Sequence, residues 1–167
     1  MYNQLTKSDI KKMQEEIEYR KLVVRKEALE AVKEARAQGD LSENFEYYAA
    51  KKDKNQNESR IRYLEKMIKT AEIIDDTSAD DEVGMNNTVE VYFEEDDEVE
   101  TFRIVTTVRG DSLNGLISVE SPIGKAIYGK KVGDRVKVKV NEEYEYYVVI
   151  RSIENTVDDS QDKIRRF

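Results

Sequence analysis

Hydrophobic positions recur at helical spacing along two charged stretches in the first half of the chain. Between residues 7 and 38 they lie three, four or seven positions apart: Ile10, Met13, Ile17, Val24, Ala28, Ala31 and Ala35. Between residues 43 and 74 a second pattern contains Phe45, Tyr48, Ala49, Ile61, Leu64, Ile68 and Ala71. One apolar face on each of two otherwise charged helices predicts an antiparallel pair that buries those faces together.

The two predicted helices are separated by a short polar segment at residues 39–44, with the sequence GDLSEN. Each arm is roughly thirty residues long and would extend about 45 Å at a rise of ~1.5 Å per residue. Residues 51–60 contain no aliphatic side chain, so the middle of the second arm can bury little apolar surface. We therefore predict a coiled-coil hairpin over residues 1–76, with an acidic tip at 39–44.

The second half of the chain changes to alternating and β-branched runs. These predict five strands, at residues 88–93, 99–105, 116–119, 135–140 and 144–150. Ser121 and Pro122 are a typical helix start and Gly129 a typical helix end, which predicts one short helix between the third and fourth strands. The fold class is thus α+β: a helical hairpin, an acidic linker at residues 77–87, a small sheet domain at 88–154 and a polar tail at 155–167.

Composition narrows the possible functions. The chain of 167 residues has a formal net charge of -8 and contains neither cysteine nor histidine. Disulfides, thiol nucleophiles and imidazole acid–base chemistry are therefore excluded, and broad binding to duplex nucleic acid is disfavoured, so that any nucleic-acid contact must be local. The sequence shows no signal peptide and no run of about 18 apolar residues, so we expect a cytoplasmic protein without a membrane partner.

The acidic residues of the tip allow two interpretations. Asp40 followed by Glu43 is a capping-box spacing, which would satisfy free amides at a helix start, and Gly39 suits the end of the preceding helix. Alternatively, two carboxylates on an extended tip suit Mg²⁺, which uses one or two protein carboxylates and takes its other ligands from elsewhere. On the residues alone the capping interpretation is favoured.

Two segments resemble one protein family. GDLSENFEYYAAK, at residues 39–51, is similar to the hairpin tip of the bacterial Gre transcript-cleavage elongation factors, the GreA/GreB family. NGLISVESPIGKAI, at residues 114–127, and GKKVGD, at 129–134, are similar to the C-terminal part of the same family. The resemblance covers about residues 5 to 152. It implies an N-terminal antiparallel coiled coil and an FKBP-like C-terminal domain without isomerase activity.

The resemblance also implies a function. Such factors bind at the rim of the secondary channel of bacterial RNA polymerase and reach its active centre with the hairpin. There they stimulate the polymerase's own cleavage of the nascent RNA 3' end in backtracked complexes, without being enzymes themselves. The matching positions make Asp40 and Glu43 the ligands of a Mg²⁺ shared with the polymerase, and favour catalysis over capping. We expect a monomer that binds no metal stably alone.

Further residues match the family at contact positions. Arg36, Ser42, Asn44 and Lys51 correspond to positions that contact the RNA or support the tip, although simple helix solvation would also explain them. Tyr47 and Tyr48 could stack on an RNA base, but packing across the hairpin is the simpler expectation.

In the C-terminal domain Glu120, Ser121 and Pro122 match the segment that meets the polymerase rim. Many relatives have Asp at the position of Glu120. Residues 104–114 also depart from the family's acidic loop, and Arg109 is expected to place a positive charge near that surface. Two alternatives follow: a paralogue that binds the channel and inhibits, and a coiled-coil adaptor whose acidic tip is only a helix cap.

Overall fold

The computed structural model describes residues 3–39, 44–75, 79–155 and 159–166. It forms two compact units, one of Ile10–Ala71 and one that joins Met1–Asp9 to Glu72–Phe167. The chain start belongs to the second unit because strand β1, Gln4–Leu5, pairs in parallel with strand β2, Glu72–Ile73. This division differs from the predicted hairpin domain of residues 1–76.

The helical unit is an antiparallel hairpin, as predicted. Its first arm runs through α1, Lys7–Tyr19, a π-helical segment, Arg20–Val24, and α2, Arg25–Ala37. Its second arm is α3, Phe45–Lys69. Contacts such as Glu16 with Arg60 and Ala35 with Asn44 pair the two arms in opposite directions.

Polar side chains fasten the middle of the hairpin, where the sequence lacks aliphatic residues. Asn57 is 4% exposed; its amide accepts a hydrogen bond from Arg20 Nη1 at 3.0 Å and donates to the Arg20 carbonyl at 3.3 Å. Arg25 binds both oxygens of Glu58 across the arms, at 2.7 and 2.9 Å. The Arg20 carbonyl starts the π-helical segment, so the buried amide braces the place where the regular helix is interrupted.

The inward face at the start of α3 differs from the predicted one. Phe45 is 85% exposed and Tyr48 51% exposed, whereas both were expected to be packed. The stripe that faces the first arm is at least half-buried and follows helical spacing: Tyr47, Ala50, Lys54, Asn57, Ile61 and Leu64. Two of its members are polar, so a pattern of hydrophobic residues alone assigns the wrong face.

The second unit contains a five-stranded mixed sheet in the order β5–β4–β3–β7–β6. The strands are β3, Thr88–Phe93; β4, Glu98–Val105; β5, Leu116–Ser118; β6, Arg135–Lys139; and β7, Glu145–Glu154. Within this described sheet the β4–β5 pair is parallel and the other three pairs are antiparallel. The predicted five strands and one short helix, α4, Pro122–Ile127, are confirmed, and the helix covers a core made mainly of valine and isoleucine.

The segments predicted as linker and tail are partly packed. In residues 79–87 the side chains of Val83 and Met85 are buried, and the Val83 amide donates to the Lys130 carbonyl at 2.8 Å. In residues 159–166 Asp162 is 8% exposed. Residues 79–87 thus differ from the predicted linker in that Val83 belongs to the apolar core of the sheet unit.

Candidate functional site

The acidic tip is only partly covered by the structure. Asp40, Ser42 and Glu43 lie outside the described residues, so their assignment as metal-binding or tip-supporting residues stays a prediction. The residues on either side, Gly39 and Asn44, are described. They define how the two arms end at the tip.

The first arm ends immediately before Gly39, as its sequence predicted. Gln38 is the C-cap of α2, and its amide donates to the Ala35 carbonyl at 3.2 Å. Gly39 follows with a φ of 127°, a backbone conformation that side chains with a Cβ rarely adopt. The glycine therefore releases the chain from the helix immediately before the acidic residues.

Asn44 joins the two arms at the base of the tip. Its Oδ1 accepts a hydrogen bond from the Tyr47 amide at 2.9 Å, which makes Asn44 the N-cap of α3. Its Nδ2 donates to the Ala35 carbonyl on the first arm at 2.6 Å. One side chain thus caps the second helix and closes the hairpin. The N-cap of α3 is thus Asn44, while the capping-box interpretation of Asp40 and Glu43 lies outside the described residues and stays a prediction.

A basic and aromatic cluster lies directly beyond this cap. The guanidinium carbon of Arg36 is 5.6 Å from the ring centre of Tyr47, and the Lys51 Nζ is 6.0 Å from it. A hydrogen bond from Arg36, followed by the charge of Lys51, lowers the pKa of the Tyr47 hydroxyl below its usual range. The two cations predicted to face RNA are therefore brought together around one half-buried tyrosine.

The aromatic residues next to this cluster are exposed. Tyr48 meets Tyr47 edge to face, with ring centres 5.5 Å apart, while Phe45 is 85% exposed. Aromatic faces beside cations are suited to stacking on nucleic-acid bases while the cations attract phosphate. The prediction of packing across the hairpin holds for Tyr47 and is wrong for Tyr48, and sequence reasoning missed the exposure of Phe45.

In the sheet unit the segment Glu120–Ser121–Pro122 connects β5 to α4. Ser121 is the N-cap of α4: its Oγ accepts from the Gly124 amide at 3.1 Å and donates to the Ser118 carbonyl at 2.6 Å. Pro122 is the first helical residue, as the sequence predicted. At Gly124 a Cβ would lie 2.1 Å from the Ser118 carbonyl oxygen, so only glycine fits there without a shift.

Glu120 is tied to its neighbours by its backbone and its side chain. Its amide donates to Ser118 Oγ at 3.0 Å, and its Oε2 accepts from Thr107 Oγ1 at 2.7 Å. The two hydroxyls, Thr107 Oγ1 and Ser118 Oγ, are 2.6 Å apart. The carboxylate at the predicted polymerase-facing segment is therefore held by the Thr107 hydroxyl, which is itself bonded to Ser118, and Glu120 remains partly exposed.

Arg109 does not supply the surface charge expected from the sequence. Its side chain is 1% exposed, and its guanidinium binds Asp9 at 2.6 Å and Asp162 at 2.8 Å. Asp9 caps α1 together with Thr6, whose amide donates to Asp9 Oδ2 at 3.0 Å. Arg109 therefore links the chain start, the region before β5 and the C-terminal tail inside the sheet unit.

Two further properties concern the part of the chain that the structure describes. No group of three or more acidic residues there is placed to hold a metal ion. No helix among the same residues is long and apolar enough to cross a membrane.

The fold and the two candidate sites define a class of protein that combines a helical hairpin, whose two arms are joined by a polar, charged segment of sequence, with a small mixed-sheet unit. The family model described as "Transcription elongation factor, N-terminal" matches residues 3–73, and "Transcription elongation factor, GreA/GreB, C-term" matches residues 78–155. The chain belongs to the GreA/GreB family of transcription elongation factors.

Individual relatives agree with this assignment. The chain is 49% identical over 137 residues to transcription elongation factor GreA of Thermoanaerobacter pseudethanolicus, covering 81% of this chain and 87% of the relative. It is 43% identical over 153 residues to GreA of Streptococcus thermophilus, covering 91% and 95%.

The chain also resembles solved structures. The chain is similar to GreA factor homolog 1 of Thermus thermophilus, at 25% identity and a TM-score of 0.41, covering 91% of this chain and 98% of that one. It is also similar to a GreA/GreB factor of Nitrosomonas europaea, at 25% identity and a TM-score of 0.39, covering 57% and 79%.

Proposed function

We propose that this elongation factor inserts its hairpin tip into the secondary channel of bacterial RNA polymerase and stimulates cleavage of backtracked nascent RNA. The observation that carries the proposal is the role of Asn44, which caps α3 and closes the two arms. The hairpin is thus closed by an amide next to the acidic residues. Asp40 and Glu43 are therefore not required as the cap of α3.

The carboxylates of the tip are the chemical part of the proposal. Asp40 and Glu43 would hold a Mg²⁺ ion shared with the polymerase, because two carboxylates are donors that this ion prefers and the polymerase supplies the others. When bound there, the ion would orient the attacking water and stabilise the leaving oxygen. The factor itself would complete the polymerase's site and have no turnover of its own.

The cluster behind the tip would position the RNA. Arg36 and Lys51 lie near one tyrosine ring, at 5.6 and 6.0 Å, and present local positive charge on an acidic protein. Such a patch attracts the phosphates of an extruded RNA end without favouring duplex DNA generally. Phe45 and Tyr48 add exposed aromatic surface beside it.

The sheet unit would provide the polymerase-docking segment, Glu120–Ser121–Pro122. The cap at Ser121 and the bonds to Glu120 fix the shape of this segment before binding. A pre-shaped segment loses little conformational freedom on binding, which favours affinity. The partly exposed carboxylate would face a basic group on the polymerase rim.

The test is release of RNA from a stalled, backtracked complex of the cognate polymerase with Mg²⁺. The double variant Asp40→Asn, Glu43→Gln should bind the complex but lose stimulation, because amide side chains are weak ligands for this ion. Glu46→Gln is the matched control, since it removes one exposed charge next to the tip without touching the acidic pair. It should cleave as the native chain does.

The opposite outcome identifies the alternatives. If the native chain slows cleavage while it binds, the factor occupies the channel as an inhibitor. If neither the native chain nor the double variant alters RNA release or binding, the hairpin is an adaptor and the proposal is wrong.

A further inference from the structure

The bonds around Glu120 have a single consistent direction. An ionised carboxylate only accepts hydrogen bonds, so Thr107 Oγ1 must donate its one hydrogen to Glu120 Oε2, at 2.7 Å. The 2.6 Å contact between the hydroxyls must then be a donation from Ser118 Oγ to Thr107. Ser118 Oγ in turn accepts from the Glu120 amide at 3.0 Å. The three residues form a closed ring of hydrogen bonds that fixes the carboxylate.

Thr107 begins a 3-10 turn, Thr107–Arg109, that is buried at every residue. Arg109, at the end of that turn, is anchored from three directions. Its Nε donates to Asp9 at 2.6 Å, and its Nη1 donates to Asn86 at 2.7 Å and to Asp162 at 2.8 Å. The position of Thr107 therefore depends on how firmly Arg109 is held.

The C-terminal tail contacts the same turn twice. Asp162 binds Arg109 and also Arg103 of β4, and the amide of Arg165 donates to the Val108 carbonyl at 2.7 Å. The tail lies beyond residues 78–155, the range that the C-terminal family model matches. The tail thus adds support to the turn that holds Glu120.

Arg109 has acidic partners outside the tail, so loss of the tail's contact can be distinguished from a general loss of stability. Asp9 is fully buried and receives hydrogen bonds from the Thr6 amide, Thr106 Oγ1 and Arg109 Nε, so Arg109 keeps one buried counter-ion without the tail. Losing both Asp9 and Asp162 would remove the two short ion pairs of a buried guanidinium and leave it only the longer contact with Asp159, at 4.0 Å from Nη1, among the described residues, which is strongly destabilising. Losing Asp162 alone leaves an ion pair and loosens the turn.

We propose that Thr107 is a positioning residue for the docking carboxylate of Glu120, and that the C-terminal tail acts on polymerase binding through Asp162, Arg109 and this threonine. The inference rests on the proposed docking role of Glu120. The tail thus affects polymerase binding indirectly, through the position of the Glu120 carboxylate, because Asp162 is itself buried.

The test measures the dissociation constant of the full-length factor for the cognate polymerase, with urea unfolding of each variant. Thr107→Val keeps the shape and removes the hydroxyl; it should weaken binding about threefold to tenfold, as expected for one lost hydrogen bond. Thr107→Ser restores the hydroxyl and should restore affinity. Val89→Ala, a core substitution in the same unit, should lower stability with no change in affinity.

A double-mutant cycle tests the route from the tail. Asp162→Ala should weaken binding in the native background and have no further effect in the Thr107→Val background, because both changes act on the same carboxylate. Additive effects, or native affinity for either single variant, would overturn the positioning role. Glu120→Ala separates the two proposals: unchanged affinity in that variant would remove the docking role itself.

Discussion

The sheet unit and the helical hairpin are each stabilised internally by a different kind of interaction. The sheet unit buries a continuous apolar core that includes Val89, Val91, Ile104 and Ile150, each fully inaccessible to solvent. The middle of the hairpin has a buried amide and arginine–carboxylate pairs in place of such a core. Burial of apolar surface contributes much free energy but does not depend on the orientation of the contacting groups. Polar contacts contribute less, but their defined geometry fixes the register of two helices. The hairpin is therefore precise in the register of its two arms but less stabilised than the sheet unit.

The largest expected effect is in the sheet core. Ile104→Ala removes a fully buried side chain of β4 and should lower the free energy of unfolding of the sheet unit by about 2–5 kcal/mol. Urea unfolding followed by tyrosine fluorescence measures it. Val99→Ala, on the same strand but 51% exposed, should change stability by less than about 1 kcal/mol. Equal losses would remove the contrast between buried and exposed positions.

A smaller loss is expected at the closest approach in the sheet unit. Gly124→Ala would place a Cβ 2.1 Å from the Ser118 carbonyl oxygen, and the forced shift should cost about 1–3 kcal/mol. Thermal unfolding is the measurement, with Lys125→Ala as an exposed control on the same helix. Native stability of the Gly124→Ala protein would mean that α4 moves away from β5 freely.

The hairpin should respond to loss of a polar contact instead. Asn57→Ala leaves the Arg20 carbonyl and guanidinium without their amide partner and should destabilise the helical unit by about 1–3 kcal/mol. Far-UV circular dichroism during heating measures this loss. Asn55→Ala, exposed on the same helix, should have little effect. If the alanine at position 57 were neutral, the buried amide would not be holding the arms.

The smallest effect depends on pH. Burial raises the pKa of Glu16, but hydrogen bonds from Arg60 and Arg20 outweigh it, so the net pKa lies below its usual 4.5. A carboxyl with a depressed folded pKa stabilises the protein above pH 4.5, and this contribution is lost as pH falls through the folded value. Glu16→Gln should therefore lower hairpin stability by about 1 kcal/mol or less at neutral pH.

The two proteins should converge in acid. Thermal unfolding at a series of pH values checks this, because the difference between native and Glu16→Gln must shrink below pH 4.5. A difference that is constant with pH would show that the lost term is packing and not charge.

The sheet unit was largely predictable from its sequence. The first predicted strand has the observed bounds, Thr88–Phe93, and the helix begins at the predicted proline. Alternation, β-branching and helix caps are local signals, so one sequence is enough to place these elements. The packing of residues 79–87 was missed because their acidic, turn-rich composition hides two buried side chains.

The hairpin and the site were less predictable, because their contacts are polar or distant in sequence. Lys54 and Asn57 lie on the face of α3 that packs against the first arm. Because both are polar, the hydrophobic pattern placed the packed face on Phe45 and Tyr48 instead. Arg109 meets Asp9 across 100 positions, a pairing that no local pattern indicates. Asn44 did offer a signal, since asparagine is a preferred N-cap, but the acidic residues before it drew the prediction to Asp40.

The π-helical segment Arg20–Val24 affects the direction in which the side chains of α2 point. Each residue of a regular helix turns the chain by about 100°, so a wider turn changes the azimuth of everything that follows it. The side chains of α2, and with them the end of the arm at the tip, therefore point in a direction set partly by five residues in the middle of the first arm. Removing one residue there would turn α2 by about 100° and change which of its side chains face α3.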